Sequence, residues 1–258
     1  MVIQKDLLTQ CAIYSSMAYE HALSSNNLIA QHKIDRISFS IFKEQHTFYI
    51  AFRGTANTSN WLLDFSYLKV YDKNLNVYLH KGYKKASEEL FNYLSSLFLN
   101  KMFKDFEFVF TGHSMGGALA IILGLWFAQY GLDVINIITF GSPKITNKNG
   151  AKLLSENALV KNGLVRVIND KDIVNLLPPN FLIGRLKGRY QHFGEEVILL
   201  DNNTIDINPI EKVLKKNKSL FFNIDEESIE EHKIQNYIRK LNALTNDFKQ
   251  ENNTFKLS

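Results

Sequence analysis

Ser114 stands between Gly112 and Gly116 in "FVFTGHSMGGALA", residues 108 to 120. A serine hydroxyl is a poor nucleophile at neutral pH unless a base takes its proton and a carboxylate orients that base. The glycine-x-serine-x-glycine spacing suits such a nucleophile when a strand enters the serine and a helix leaves it. The turn between them is sharp, and residues without Cβ two positions to either side relieve its crowding. Here the apolar run "FEFVF" (106 to 110) precedes the serine and the small-residue run "MGGALAIILGLWFAQYG" (115 to 131) follows it. The Met115 N–H then points to where an oxyanion would form. The alternative is a glycine-rich strand-to-helix junction with a passive serine.

The base and the acid follow by elimination. In the fold that uses this elbow the chain order is serine, then carboxylate, then histidine. Of the seven histidines, His21, His32, His46 and His80 precede the serine, and His113 sits inside the elbow with its side chain expected to point away from the hydroxyl as a bystander. His192 comes before the last strand of the pattern and reads as a satisfied core or surface histidine, whereas His232 comes after it and is the better base. For the acid, "LVRVIN" (164 to 169) runs directly into Asp170 and Asp172, both at the carboxyl end of a strand, where open α/β sheets place site residues. Elimination does not separate the two. Asp201, beyond the last strand, reads as a turn residue.

A second oxyanion donor is expected from the loop after an earlier strand. "IAFRGTANTSNW" supplies one, with Gly54 allowing close approach and Thr55 offering an N–H and a hydroxyl. Beyond it Trp61, Leu62, Leu63, Phe65 and Tyr67 crowd into one connection, and Leu176 and Leu177 do the same in "NLLPPNFLIG". Each cluster is either core or a flap over an acyl pocket that turns its apolar face to a lipid interface.

The elements that must hold these residues follow from periodicity. The N-terminus has helical spacing. "RISFSIFK" (36 to 43) and "HTFYIAFR" (46 to 53) alternate as an antiparallel hairpin, residues 82 to 103 are helical, and "INIITF" (135 to 140) and "LVRVIN" are buried strands separated by a weak helix at 147 to 157. Residues 194 to 207 add a strand or hairpin, 228 to 244 a helix, and the last residues look frayed. Strands alternating with helices predict one α/β domain over residues 1–258, with a mostly parallel central sheet flanked by helices.

Composition excludes other classes. At 258 residues with 45% hydrophobic and 22% charged residues, the chain can build one sizeable core and is not disordered. A net charge of +4 with Lys and Arg scattered along the chain gives no footprint for nucleic acid. "EKVLKKNK" (211 to 218) is a solvated helix face or a membrane-surface contact. Cys11 is the only cysteine, the N-terminus lacks a continuous apolar leader, and no run of apolar residues is long enough to span a bilayer. Together these lead us to expect a cytoplasmic setting.

Taken in order, "AFRGT", "NWLLDF", "HKGY", "FTGHSMGGALA", "TFGSPK", "RVINDKDIVNLLPP", "YQHFGEEV" and "EEHKIQNYIRKL" resemble the class 3 lipases, α/β-hydrolases related to fungal triacylglycerol lipases, from about residue 50 to 241. The resemblance implies an α/β-hydrolase fold and hydrolysis of ester bonds in acylglycerols or phospholipids, without cofactor or metal. It also implies Ser114 as nucleophile and His232 as base. The family's acid is the aspartate of its DIV motif, so the resemblance selects Asp172. It matches Thr55 and the Met115 amide to the oxyanion donors and aligns Trp61 to Phe65 with the lid. Two positions depart from the family pattern: Asn175 stands for the proline that commonly follows DIV, and Glu231 for the aspartate that often precedes the histidine. Acyl transfer to an alcohol on the same acyl-enzyme, and a lipase-like binding module without catalysis, are the competing expectations.

Overall fold

Alternate side chains of the central strands face opposite ways, and both faces are apolar. Phe48, Ile50, Phe52, Phe108 and Phe110 enter one core, while Tyr49, Ala51 and Val109 enter the other. A sheet apolar on both faces has to be covered by helices on both. The computed structural model describes residues 2–19, 25–34, 37–54, 67–178, 187–201, 205–206, 230–244 and 254–256.

Strand β1 (Val2–Gln4) leads into helix α1 (Lys5–Met17), and three antiparallel strands follow: β2 (Leu28–Ile34), β3 (Ile37–Glu44) and β4 (Thr47–Phe52). Next come β5 (Lys69–Asp72), β6 (Val77–His80) and helix α2 (Lys81–Phe98). The β/α core continues with β7 (Glu107–His113), α3 (Met115–Gln129), β8 (Asp133–Phe140), β9 (Thr146–Asn147), α4 (Lys148–Leu154), α5 (Ala158–Gly163) and β10 (Leu164–Asn169). It closes with β11 (Tyr190–Gln191), β12 (Glu195–Leu199), β13 (Ile205–Asp206), α6 (Ile234–Ala243) and β14 (Thr254–Lys256).

The main sheet has the order β13-β12-β10-β8-β7-β4-β3-β2. Five consecutive strands of it, β12, β10, β8, β7 and β4, run parallel, and the antiparallel β3–β4 hairpin expected from the sequence forms one flank. Strand β2 lengthens that flank; its residues are half-buried or exposed, so the run lacks the clean alternation that marks a strand. Thr254–Lys256, in a tail expected to fray, pairs antiparallel with Val2–Gln4. A smaller antiparallel sheet has the order β11-β9-β6-β5.

Helix α3 is buried all round from Gly116 to Phe127, as its uninterrupted apolar and small residues require. Together with α2 it covers one face of the sheet. On the other face α1 and α6 pack against each other, so the last helix returns to the carboxyl ends of the strands. Among the described residues no helix is long and apolar enough to cross a membrane.

Candidate active site

Strand β7 ends at His113 and α3 begins at Met115, so Ser114 alone makes the turn. Its backbone sits at φ 59° and ψ −131°, a conformation that L-residues adopt only when the surroundings impose it. Two contacts impose it here: the Ser114 N–H donates to the Phe140 carbonyl at 2.9 Å, and the flanking glycines let the chain fold back on itself. A Cβ on Gly112 would lie 2.4 Å from the Gly116 backbone, and one on Gly116 would lie 2.1 Å from the Phe52 carbonyl oxygen. Helix α3 thereby brings the positive end of its dipole to the serine, with Met115 as its first residue.

Asp172 leaves the end of β10 and caps the following 3-10 turn, its Oδ1 accepting the Val174 N–H at 2.8 Å. Its Oδ2 accepts from His232 Nδ1 at 2.7 Å and from the Tyr237 hydroxyl at 2.5 Å. An ionised carboxylate only accepts hydrogen bonds, so the His232 proton sits on Nδ1 and Nε2 is left bare as a base. That Nε2 is buried and has no hydrogen-bond partner among the described residues. Asp172 and His232 are 4% and 2% exposed, so little water competes for the pair.

Gly141 lets the serine strand and the acid–base pair meet. It follows Phe140, the partner of the Ser114 amide, and it takes φ +56°. A Cβ there would stand 2.6 Å from Asp172 Oδ2 and 3.0 Å from His232 Cε1. Only glycine tolerates both the backbone angle and the close approach.

The remaining expected residues fall in different places. Of the two aspartates that elimination left level, Asp170 accepts from Lys240 at 3.2 Å and Asp172 is the one that accepts from His232 Nδ1, at 2.7 Å. Asp201 is bound by Lys171 and Lys240, which pull its carboxyl down to about 2. Leu176 and Leu177 are buried beside the acid's turn. Lys144, from the "GSPK" motif, holds that segment: its amide donates to the Leu177 carbonyl at 2.7 Å and its ammonium donates to the carbonyls of Leu176 and Pro178. Burial, with Arg166 nearby, brings the Lys144 pKa down to about 7. His192, half-buried and neutral, meets the Asn175 carbonyl at 2.6 Å, so it braces the position where the family commonly has proline. Thr55, Trp61, Leu62, Leu63 and Phe65 lie outside the described residues.

His113 is not the isolated bystander its position suggests. Its Nε2 meets the His232 carbonyl at 2.6 Å, so Nε2 carries the proton, and Nδ1 accepts the Tyr19 hydroxyl at 2.8 Å. The Tyr19 oxygen in turn accepts the Gly54 N–H at 3.1 Å. Burial, and then the neighbouring His232, hold the His113 pKa well below its usual value, so the ring is neutral. Sequence reasoning also missed Tyr237, whose spacing from His232 carries no recognisable signature.

Comparison with known proteins points to one family. A sequence model described as Lipase (class 3) matches residues 49–182. The chain is 31% identical to a lipase of Rhizomucor miehei over 168 residues, 62% of this chain and 43% of that protein. It is 30% identical to the secreted mono- and diacylglycerol lipase 1 of Fusarium solani over 133 residues, 50% of this chain and 39% of that protein. It is 23% identical to a chloroplastic phospholipase A1 of Arabidopsis thaliana over 138 residues, 51% of this chain and 19% of that protein. The matches span less than half the length of each of these relatives. The solved structure of the Rhizomucor miehei triacylglyceride lipase superposes with a TM-score of 0.69 at 20% identity, covering 90% of this chain and 96% of that one. The fold is that of the α/β-hydrolase lipases.

Proposed function

Since the chain belongs to the class 3 lipase family, we propose that it hydrolyses lipid esters through an acyl-enzyme on Ser114. The observation that carries this reading is the buried His232–Asp172 pair, whose Nε2 has no hydrogen-bond partner among the described residues, together with a serine held at positive φ on the strand-to-helix turn. Ser114 Oγ attacks the acyl carbonyl while His232 Nε2 takes its proton. The positive charge that develops on the imidazole is stabilised by Asp172 through Nδ1–H. The Met115 amide, at the helix N-terminus, and Thr55 stabilise the oxyanion, each such donor being worth about 3 kcal/mol. His232 then protonates the departing alcohol, and a water molecule, deprotonated by the same Nε2, releases the fatty acid. The chemistry calls for no cofactor and no metal.

Within lipid esters we propose neutral acylglycerols ahead of phospholipids, because relatives at 30 to 31% identity are named as lipases and the two phospholipases A1 stand at 23% and 27%. Trp61, Leu62, Leu63 and Phe65 are proposed to cover the acyl pocket and meet the lipid interface. One relative is named as secreted, which weighs against the cytoplasmic setting expected from the sequence.

The test crosses acyl length with head group, triacylglycerol and diacylglycerol against phosphatidylcholine, with Ser114→Ala as the blank. Ser114-dependent release of fatty acid from the glycerides, with slower release from phosphatidylcholine, is expected. Faster release from phosphatidylcholine overturns the head-group assignment. Fatty acid moved onto added glycerol in preference to water would make the protein an acyltransferase, and no Ser114-dependent product at all would leave a binding module.

A further inference from the structure

The acid and the base of the proposed triad come from elements far apart in sequence, and something has to hold them in register. Asn169, the last residue of β10, is fully buried, and four of its polar positions are engaged. Its backbone carbonyl accepts the Asp172 N–H at 3.0 Å, which folds the turn that presents the acid. Its side-chain Nδ2 donates both hydrogens to one residue, to the Glu231 carbonyl at 2.7 Å and the Glu231 carboxylate at 2.8 Å. Glu231 is the residue immediately before His232. The Asn169 Oδ1 accepts from Lys240 Nζ at 2.7 Å.

The direction of these bonds is not free. An ammonium only donates, so the oxygen of the Asn169 amide has to face Lys240 and the NH₂ has to face Glu231. Lys240 is itself 2% exposed, and its three hydrogens match three acceptors: Asn169, Asp170 at 3.2 Å and Asp201 at 2.7 Å. It projects from α6, the helix that also carries Tyr237 to Asp172. A buried cation with every donor satisfied is costly to rearrange, so it fixes the amide that it faces.

We propose that Asn169 is a positioning residue for the reaction, oriented by Lys240, which joins the backbone carrying His232 to the turn carrying Asp172. This rests on the hydrolytic reading above. Neither side chain touches substrate; both act through the His232–Asp172 contact. The role differs from bulk packing because one amide ties both partners, and reversing its donor end sets a carboxylate against the Glu231 carbonyl and carboxylate while leaving size and the Lys240 contact unchanged.

The experiment uses the full chain, a short-chain nitrophenyl ester and thermal unfolding in parallel. Asn169→Asp is expected to lower kcat by about 10- to 100-fold with KM within about twofold, as a small displacement of a catalytic group does. Adding Glu231→Gln to it supplies an amide that donates to the new carboxylate, and kcat is expected to recover by about fivefold or more. If Asn169→Asp does not fold, Lys240→Met decides: it keeps the amide but frees its orientation, and a fall in kcat of about fivefold or more at unchanged KM is expected. A folded variant whose kcat stays within about threefold overturns the proposal. So does a loss that tracks the fall in Tm and is not relieved by Glu231→Gln, since that is the mark of a purely structural residue. Absence of Ser114-dependent turnover in the unaltered chain overturns the hydrolytic reading and this one with it, whereas Ser114-dependent turnover that survives in both variants overturns the clamp alone.

Discussion

Replacing Ser114 by alanine is expected to lower turnover of a medium-chain nitrophenyl ester by about 10⁴-fold or more, with the protein still folded. The size follows from the covalent role: without Oγ there is no acyl-enzyme, and only the oxyanion donors and substrate binding remain to assist direct attack by water. Folding should survive because the hydroxyl accepts no helix-capping bond, and the turn is held by the Ser114 amide and the two glycines. Alanine carries the same Cβ at φ 59°, so the strain is the same in both proteins. A loss below tenfold in a folded variant would contradict the assignment.

The second large effect is expected at Asp172. Asp172→Asn should cost about 10³- to 10⁴-fold in kcat, because an amide that donates toward Nδ1 moves the His232 proton to Nε2, where a base is needed. Two further bonds make the position sensitive: the Val174 N–H donates to Oδ1 and the Tyr237 hydroxyl to Oδ2, and an amide NH₂ in place of either oxygen sets donor against donor. Asp170→Asn should cost at least about 100-fold less than this, since Asp170 faces Lys240, which keeps Asn169 and Asp201 as partners. Steady-state kinetics of the two variants side by side test it, and a larger loss at Asp170 would reverse the choice of acid.

The strand-to-helix elbow at Ser114 was legible because everything it requires is local: the end of a strand, a one-residue turn, two glycines and the start of a helix lie within thirteen consecutive positions. Histidine and acid were legible as an order along the chain, which left Asp170 and Asp172 level. What separates them is a turn in which residue 172 caps the next helical segment while residue 170 points to α6, and periodicity does not report that. Tyr237, Asn169 and Lys240 were illegible for a related reason. Each acts on a partner 62 to 71 positions away, and a polar residue in an amphipathic helix or at a strand end gives no sign of which distant group it will meet. His113 was read as a bystander from its place inside the elbow, and that position gives no sign that its ring meets the carbonyl of the candidate base. In the fold, the parallel strands were plain from short buried runs. The half-buried β2 and the six-residue α5 were not, because neither presents a clean apolar face.

The central claim is that Ser114 is activated as a nucleophile by His232, and covalent labelling measures that directly. The purified chain would be treated with a fluorophosphonate and the adduct located by peptide mass spectrometry, with Ser114→Ala and His232→Ala alongside. One adduct on the Ser114 peptide, absent from Ser114→Ala and formed far more slowly in His232→Ala, is the predicted result. An unlabelled protein, or labelling whose rate is unchanged by either substitution, would contradict it.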